Sequence, residues 1–185
     1  MAPPLEITGA NLHLRALGPD DVTERYVGWL NDPTVNVLSS RLGHHSNAEA
    51  CRHYLATRAL DEVVLGMFLA NIGHVGNVKY GPVDRLNKRA DISILIGEQA
   101  VWGKGVGREA VYLVTRNLFR NEGLNRVDAG SGNPAFVRMV QGIGWKLEGV
   151  QRERVNIGGS LIDWVLLAQL RSEFIELPQF HQRSG

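Results

Sequence analysis

The stretch Asp91-Ile92-Ser93-Ile94-Leu95-Ile96-Gly97-Glu98-Gln99-Ala100-Val101-Trp102-Gly103-Lys104-Gly105-Val106-Gly107-Arg108-Glu109-Ala110 decides the fold. An apolar run with β-branched residues, Ile92 to Ile96, enters a loop with glycine at 103, 105 and 107. Helical spacing then begins at Val106 and continues through Ala110, Val114 and Leu118. The segment reads as strand, glycine loop, helix. Such a helix start offers unpaired backbone N–H groups and the positive end of the helix dipole, a combination that binds phosphate. Lys104 and Arg108 add cations beside the same loop, which suits a pyrophosphate.

Spacing tests two known phosphate loops. The dinucleotide fingerprint G-x-G-x-x-G, started at Gly103, meets Arg108 where a small residue belongs; started at Gly105 it is met only by Ala110. The G-x-x-x-x-G-K-[ST] loop is absent. A dinucleotide loop also follows the first strand of its domain, whereas roughly half of this chain precedes it. A nucleotide-binding protein of that type stays as a minor alternative.

The segment Trp102 to Gly107 resembles the acetyl-coenzyme A loop Q/R-x-x-G-x-G/A of the GNAT N-acetyltransferases, with Trp102 in place of the usual Gln or Arg. Trp29-Leu30-Asn31-Asp32-Pro33, Gly76-Asn77-Val78-Lys79, and Asn133 with Gly144-Trp145 resemble segments of the branch that holds ribosomal-protein N-terminal acetyltransferases and their amino-sugar relatives. Together they span most of residues 12 to 170. The resemblance implies an α+β fold: a mixed, mostly antiparallel sheet of about seven strands, flanked by about four helices and splayed between its fourth and fifth strands.

Periodicity places the elements around the loop. Leu12 to Arg15 alternates as a strand, and Asp20 to Leu30 reads as a helix with acids in its first turn. A loop from Thr34 to His45 leads to Ser46-Asn47-Ala48-Glu49, a capping box that starts a helix from about 47 to 60. Residues 62–70 and 74–83 form a hairpin, and the strand 90–96 enters the loop. The helix from about 105 to 122 stops at Gly123. A strand over 126–129 turns at Gly130-Ser131-Gly132, Asn133-Pro134 caps a helix to about Ile143, and residues 146–156 and 160–170 close with a hairpin. The tail over 174–185 reads as frayed or as an oligomer contact, including that of a homodimer.

The 185 residues suit one domain, expected to span 1–185. A hydrophobic content of 44% with 21% charged residues is globular, and no run approaches the length of a membrane span. The N-terminus lacks the order of a secretory signal, so a cytoplasmic protein is expected. The lone Cys51 excludes an internal disulfide and reads as a packing residue. A net charge of +1 gives no field for nucleic acid, so neither nucleic acid nor membrane is expected as a partner. His44 and His45 lack ligands at metal spacing, and no metal is expected.

Acetyl transfer to an amine needs a held thioester, a polarised carbonyl and a nitrogen that has lost its proton. By the resemblance, Gly103, Lys104, Gly105, Val106, Gly107 and Arg108 hold the pyrophosphate of acetyl-coenzyme A, with Trp102 beside them. Leu95 and Ile96 offer backbone hydrogen bonds to the pantetheine arm, Gly97 permits the splay, and Asn133 contacts the arm. Asp91 matches a position where the family carries an acid and is the candidate general base; a salt bridge to Arg89 or Lys79 explains it equally well. Direct proton abstraction by Asp91 asks for burial, since a carboxylate in water is a weak base. Phe136 and Val140 stand where relatives carry a serine and a proton-donating tyrosine.

The acceptor side is expected to include Trp29, His44, Asn77, Lys79, Tyr80 and Arg154. The cations among them suit an acidic acceptor such as a nucleotide-linked amino sugar. A protein N-terminus is the competing acceptor, and a non-catalytic acyl-coenzyme A binding module is the alternative suggested by Trp102, Phe136 and Val140.

Overall fold

The computed structural model describes residues 5–39 and 41–181. Eight strands build one sheet: β1 (Glu6–Thr8), β2 (Leu12–Ala16), β3 (Val63–Leu69), β4 (Gly73–Asp84), β5 (Arg89–Ile96), β6 (Arg126–Ser131), β7 (Lys146–Ile157) and β8 (Ser160–Leu170). Their spatial order is β1-β2-β3-β4-β5-β6-β8-β7. Every neighbouring pair is antiparallel except β5 and β6. Those two are parallel and pair only from Arg89–Asp91 to Arg126–Asp128 before they diverge. This is the expected mixed, splayed sheet, with β1 as one more strand than expected; its three residues are too few to show a period.

Four helices cover the sheet: α1 (Glu24–Asn31), α2 (Ala48–Thr57), α3 (Val106–Arg120) and α4 (Pro134–Gln141). On one face α3 and α4 meet Leu12, Leu14, Leu65, Met67, Val78, Ala90, Ile92, Val127 and Ala129. On the other, α1 and α2 enclose a smaller core of Leu17, Val22, Tyr26, Cys51, Leu55 and Val64. Cys51 is buried there, and burial pushes its thiol up, as suits a packing residue and not a nucleophile. Among the described residues no helix is long and apolar enough to cross a membrane.

Three expectations are corrected. α1 starts at Glu24, not Asp20, because Thr23 caps it by accepting from the Tyr26 N–H. Asp21 is instead engaged by Arg15 and the Gly18 N–H in a preceding 3-10 turn. The capping box at Ser46 does not form: Asn47 is the N-cap of α2, accepting from Ala50 N–H at 2.8 Å. Ser46 is buried; its hydroxyl accepts from Arg41 and its backbone N–H donates to Asn31 Oδ1.

The third correction concerns the described part of the tail, 174–181, which is not frayed; residues 182–185 lie outside the described residues. Residues 174–181 lie against α3, with Phe174 stacked on Tyr112 at 5.3 Å and edge-on to Phe119 at 5.6 Å. Glu176 accepts from Tyr112, Arg116 and Arg120. The physical cause lies in α3, which is buried almost all round. A helix with one apolar stripe needs only a sheet; Tyr112 and Phe119 extend the stripe past the sheet, and the tail covers the remainder.

Candidate functional site

The site grows from the turn between β5 and α3. Gly103 and Gly105 both adopt left-handed backbone, φ 73° and 85°, which a side chain would oppose. Gly105 is the N-cap of α3 and supplies no side-chain cap. Among the described residues the N–H groups of Gly103, Gly105, Val106, Gly107 and Arg108 take no partner outside the helix, and the first turn of a helix supplies none. An anion that accepts from such groups gains about 1.5–3 kcal/mol per bond. Lys104 and Arg108 are exposed beside them, and the Arg108 guanidinium leans toward α4 near Gly142.

Gly107 has a different reason to be glycine. A Cβ there would stand 2.9 Å from Ile96 Cδ1 and 3.1 Å from Met139 Sδ, so its absence lets the helix start press against β5 and α4. Trp102, 41% exposed, donates from its indole Nε1 to the carbonyl of Ile96 at 2.9 Å. The tryptophan thus ties the head of the loop to the last residue of the strand, a job for its N–H that the motif position did not disclose.

The gap between β5 and β6 lies beneath this loop. Gly97 N–H bonds to Val75 on the β4 side, and Lys88 C=O accepts from Asn125 and Arg126 on the β6 side. Strand alternation then turns the N–H and C=O of Ile92, Ile94 and Ile96 toward β6. Beyond Asp91 that neighbour has departed, so the edge of β5 carries polar groups with no strand to meet them, the Ile96 carbonyl being taken by Trp102 instead. Across the gap, Asn133 caps α4 through its Oδ1, 2.9 Å from Ala135 N, while its side-chain N–H₂ has no partner among the described residues. The cap and the free donor coexist in one side chain.

Gly97 was expected to permit the splay; the structure gives it another reason. A Cβ at Gly97 would overlap the indole of Trp29. Trp29, 7% exposed, is packed on Gly97 and edge-on to His74 at 5.1 Å, which makes it a wall of the site's floor. Burial lowers His74 below the ordinary histidine range, against the hydrogen bonds its Nε2 makes to Asn77 Oδ1 and the Gly76 carbonyl, both acceptors.

The remaining acceptor-side residues fall in three places. Val64↔Lys79 and Gly66↔Asn77 put Lys79 and Asn77 on the α1/α2 face, where Ser93 and Leu95 pair with them. Tyr80, one residue on, must point the other way; it is 3% exposed in the α3 core, and burial pushes its phenol up to about 12. Tyr80 is therefore removed from the acceptor side by strand parity. Lys79 is bound to Glu62 at 2.9 Å, so it is not the free cation expected. Burial works against the Glu62 carboxylate, but hydrogen bonds from Tyr54 and Lys79 outweigh it and hold Glu62 below its usual range. His44 is exposed in the α1–α2 loop, whose Leu42 reaches Gly158 at the β7–β8 turn; Arg154 is exposed on a bulge of β7.

Asp91 is exposed and makes no hydrogen bond or ion pair among the described residues. The salt-bridge reading is overturned, since Arg89 reaches Asp84 and Asp128 and Lys79 reaches Glu62. The burial asked for by direct abstraction is also missing. What the sequence reading overlooked is Asp128, the Cα partner of Asp91 at the last paired position before the gap. Neighbouring strands run about 4.8 Å apart, and partners on them share a face. Arg126 holds Asp128 Oδ1 at 2.6 Å, while Oδ2 makes no hydrogen bond. Trp164 was also missed. Its indole lies over Gly130, where a Cβ would collide with it, while a Cβ at Gly132 would press on Ile162. Gly130 serves that close approach within β6, which runs on to Ser131, and the expected turn is carried by Gly132, in the bend between β6 and the cap of α4.

Comparison with known proteins follows the same outline. A family model described as an acetyltransferase (GNAT) domain matches residues 11–146. An uncharacterized N-acetyltransferase, p20, of Bacillus licheniformis is 28% identical over 102 residues, covering 54% of this chain and 57% of that protein. The alignment thus spans little more than half the length of this curated relative. Among solved structures, spermidine N-acetyltransferase from Vibrio cholerae in complex with CoA and spermine has a TM-score of 0.78 at 19% identity, over 88% of this chain and 97% of that one. A ribosomal-protein-S5-alanine acetyltransferase from Vibrio fischeri has a TM-score of 0.72 at 16% identity, over 93% and 100% of the two chains. At these identities the likeness is one of fold.

Proposed function

Because the chain belongs to the acetyltransferase (GNAT) domain family, we propose that it moves the acetyl group of acetyl-coenzyme A directly to a primary amine of a small molecule. The observation that carries this reading is the open edge of β5 beneath the unpaired N–H groups of residues 103 and 105–108. The loop suits the pyrophosphate, the edge suits the amide groups of the pantetheine arm, and the free Asn133 donor faces the same gap.

The amine nitrogen attacks the thioester carbonyl, the C–N bond forms, and the C–S bond breaks to release the thiolate. The proton lost by the amine passes to Asp91, through water, since the carboxylate is exposed. Val140, buried in the α3 core, has no proton to donate, so the thiolate leaves without help from that position. A thiol is a good enough leaving group for this, its pKa being about 8.5.

An amine arriving as an ammonium ion meets the exposed carboxylate of Asp91, unpaired among the described residues, beside an Asp128 already held by Arg126 and Arg89. That one free carboxylate favours a cationic amine. The amino-sugar argument loses one of its cations, because Lys79 is neutralised by Glu62.

Calorimetric titration with acetyl-coenzyme A tests the coenzyme part, using Gly105→Asn and Gly105→Glu. Asparagine tolerates left-handed backbone and should retain micromolar binding, whereas glutamate places an anion at the loop and should abolish it. A thiol-release assay over polyamines, nucleotide-linked amino sugars and N-terminal peptides tests the acceptor. Turnover confined to the cationic amines is expected; coenzyme binding without thiol release from any amine would leave a binding module and end the proposal of an enzyme.

A further inference from the structure

Helix α3 carries the coenzyme loop on its first turn, yet most of what holds it is apolar: Val106, Ala110, Val111, Val114 and Leu118 against the sheet. Apolar burial has no direction, so a helix held only that way can slide or rotate a little at small cost. Phosphate recognition by backbone N–H groups tolerates no such freedom, because a hydrogen bond weakens steeply outside a narrow range of distance and angle. Something directional has to set the helix start.

Glu109 is the side chain in that first turn with directional bonds. It is 4% exposed, and its carboxylate accepts from the Asn11 N–H at 2.8 Å, the Leu12 N–H at 3.1 Å and the Asn11 side chain at 3.2 Å. These donors belong to the turn between β1 and β2, which is part of the sheet. Gly9 in the same turn has no room for a side chain, since a Cβ would lie 2.5 Å from Glu109 Oε1. The tail reaches this turn as well, through Ala10 N–H to Phe180 C=O at 3.1 Å, but it grips α3 only from Tyr112 onward. The first turn is left to Glu109. A carboxylate just below an anion site repels the anion, so attraction of the coenzyme does not explain its presence there.

Resting on the coenzyme reading above, we propose that Glu109 is a positioning residue that locks the first turn of α3 to the β1–β2 turn and so aims the N–H groups of Val106, Gly107 and Arg108 at the coenzyme. The contact acts on coenzyme binding and leaves the acceptor side alone.

The test measures coenzyme A affinity by calorimetry and steady-state kinetics for the wild type, Glu109→Gln, Glu109→Asp and Glu109→Ala. Asp keeps the charge but is one methylene too short; Gln keeps the length and an acceptor oxygen. Asp and Ala should weaken coenzyme binding about tenfold or more, with kcat at saturating coenzyme and the acceptor KM within about twofold of wild type. Gln should stay within about twofold in all three quantities. A folded Asp variant with wild-type affinity overturns the proposal, as does a Gln variant as weak as Ala, or a loss spread equally over kcat and both KM values. If the Ala variant does not fold, the Asp and Gln pair decides. A wild type that binds no coenzyme at all sinks the functional reading itself, and this proposal with it.

Discussion

Asp91 and Asp128 meet as partners across the last paired position of β5 and β6, where the gap opens. Asp91→Asn should lower kcat about a hundredfold while coenzyme affinity, measured by calorimetry, stays unchanged, because the loop at 103–108 starts 12 residues further along the chain, past the end of the strand. Unaltered kcat would remove Asp91 from the proton path. Asp91 entered as a candidate because it stands on the strand before the loop where the resembled family carries an acid, a match within contiguous chain. Asp128 did not: it lies on the next strand, beyond a whole helix, and only the register of the parallel pair puts it there. Tyr80 shows the opposite error. Three neighbouring candidates on one strand cannot share a face, and the alternation that removes Tyr80 was present in the sequence; what was missing was which parity faced the helices α1 and α2.

At the scale of the element, α3 behaves as the spine of the molecule. Leu118 is fully buried between it and the sheet. Leu118→Ala should cost about 2–5 kcal/mol in denaturant unfolding, yet leave coenzyme binding intact well below the melting temperature, since the loop lies at the other end of the helix. Weakened binding in a fully folded variant would mean that the helix transmits strain to its start. The glycines of this region separate by cause. Gly103 and Gly105 are glycine for their backbone angles, which a glycine-rich loop before a helix announces. Gly97, Gly107 and Gly130 are glycine because Trp29, Ile96 with Met139, and Trp164 come close to them. Those partners are distant in sequence, so spacing alone could not tell a turn from a close approach.

The whole molecule is closed by its tail, and that closure has a pH signature. Burial pushes the Glu176 carboxyl up, but hydrogen bonds from Arg116, Tyr112 and Arg120 outweigh it and hold the group at about 2, against 4.5 when free. A carboxyl depressed in the folded state contributes stability that is complete above the unfolded value and is lost as pH falls toward the folded one. The contribution of this contact should therefore be full above pH 4.5 and fade between there and about pH 2. Glu176→Gln should flatten that part of the stability curve measured by thermal melts; an unchanged acid limb would show that the tail does not add to folding.

What the sequence by itself determined was the local order: strand, glycine loop and helix from residue 91 to 110, the hairpins, the cap at Asn133, and through them the family. Each follows from periods of two or 3.6 residues and from backbone angles that only glycine accepts, which are properties of contiguous chain. The tertiary structure alone decided which carboxylate faces Asp91, which indole fills the space above Gly97, why residues 174–181 pack on α3, and what holds the first turn of α3. These rest on contacts between residues such as Asn11 and Glu109, far apart along the chain. Their pairing depends on the order and register of strands, which no short-range period encodes.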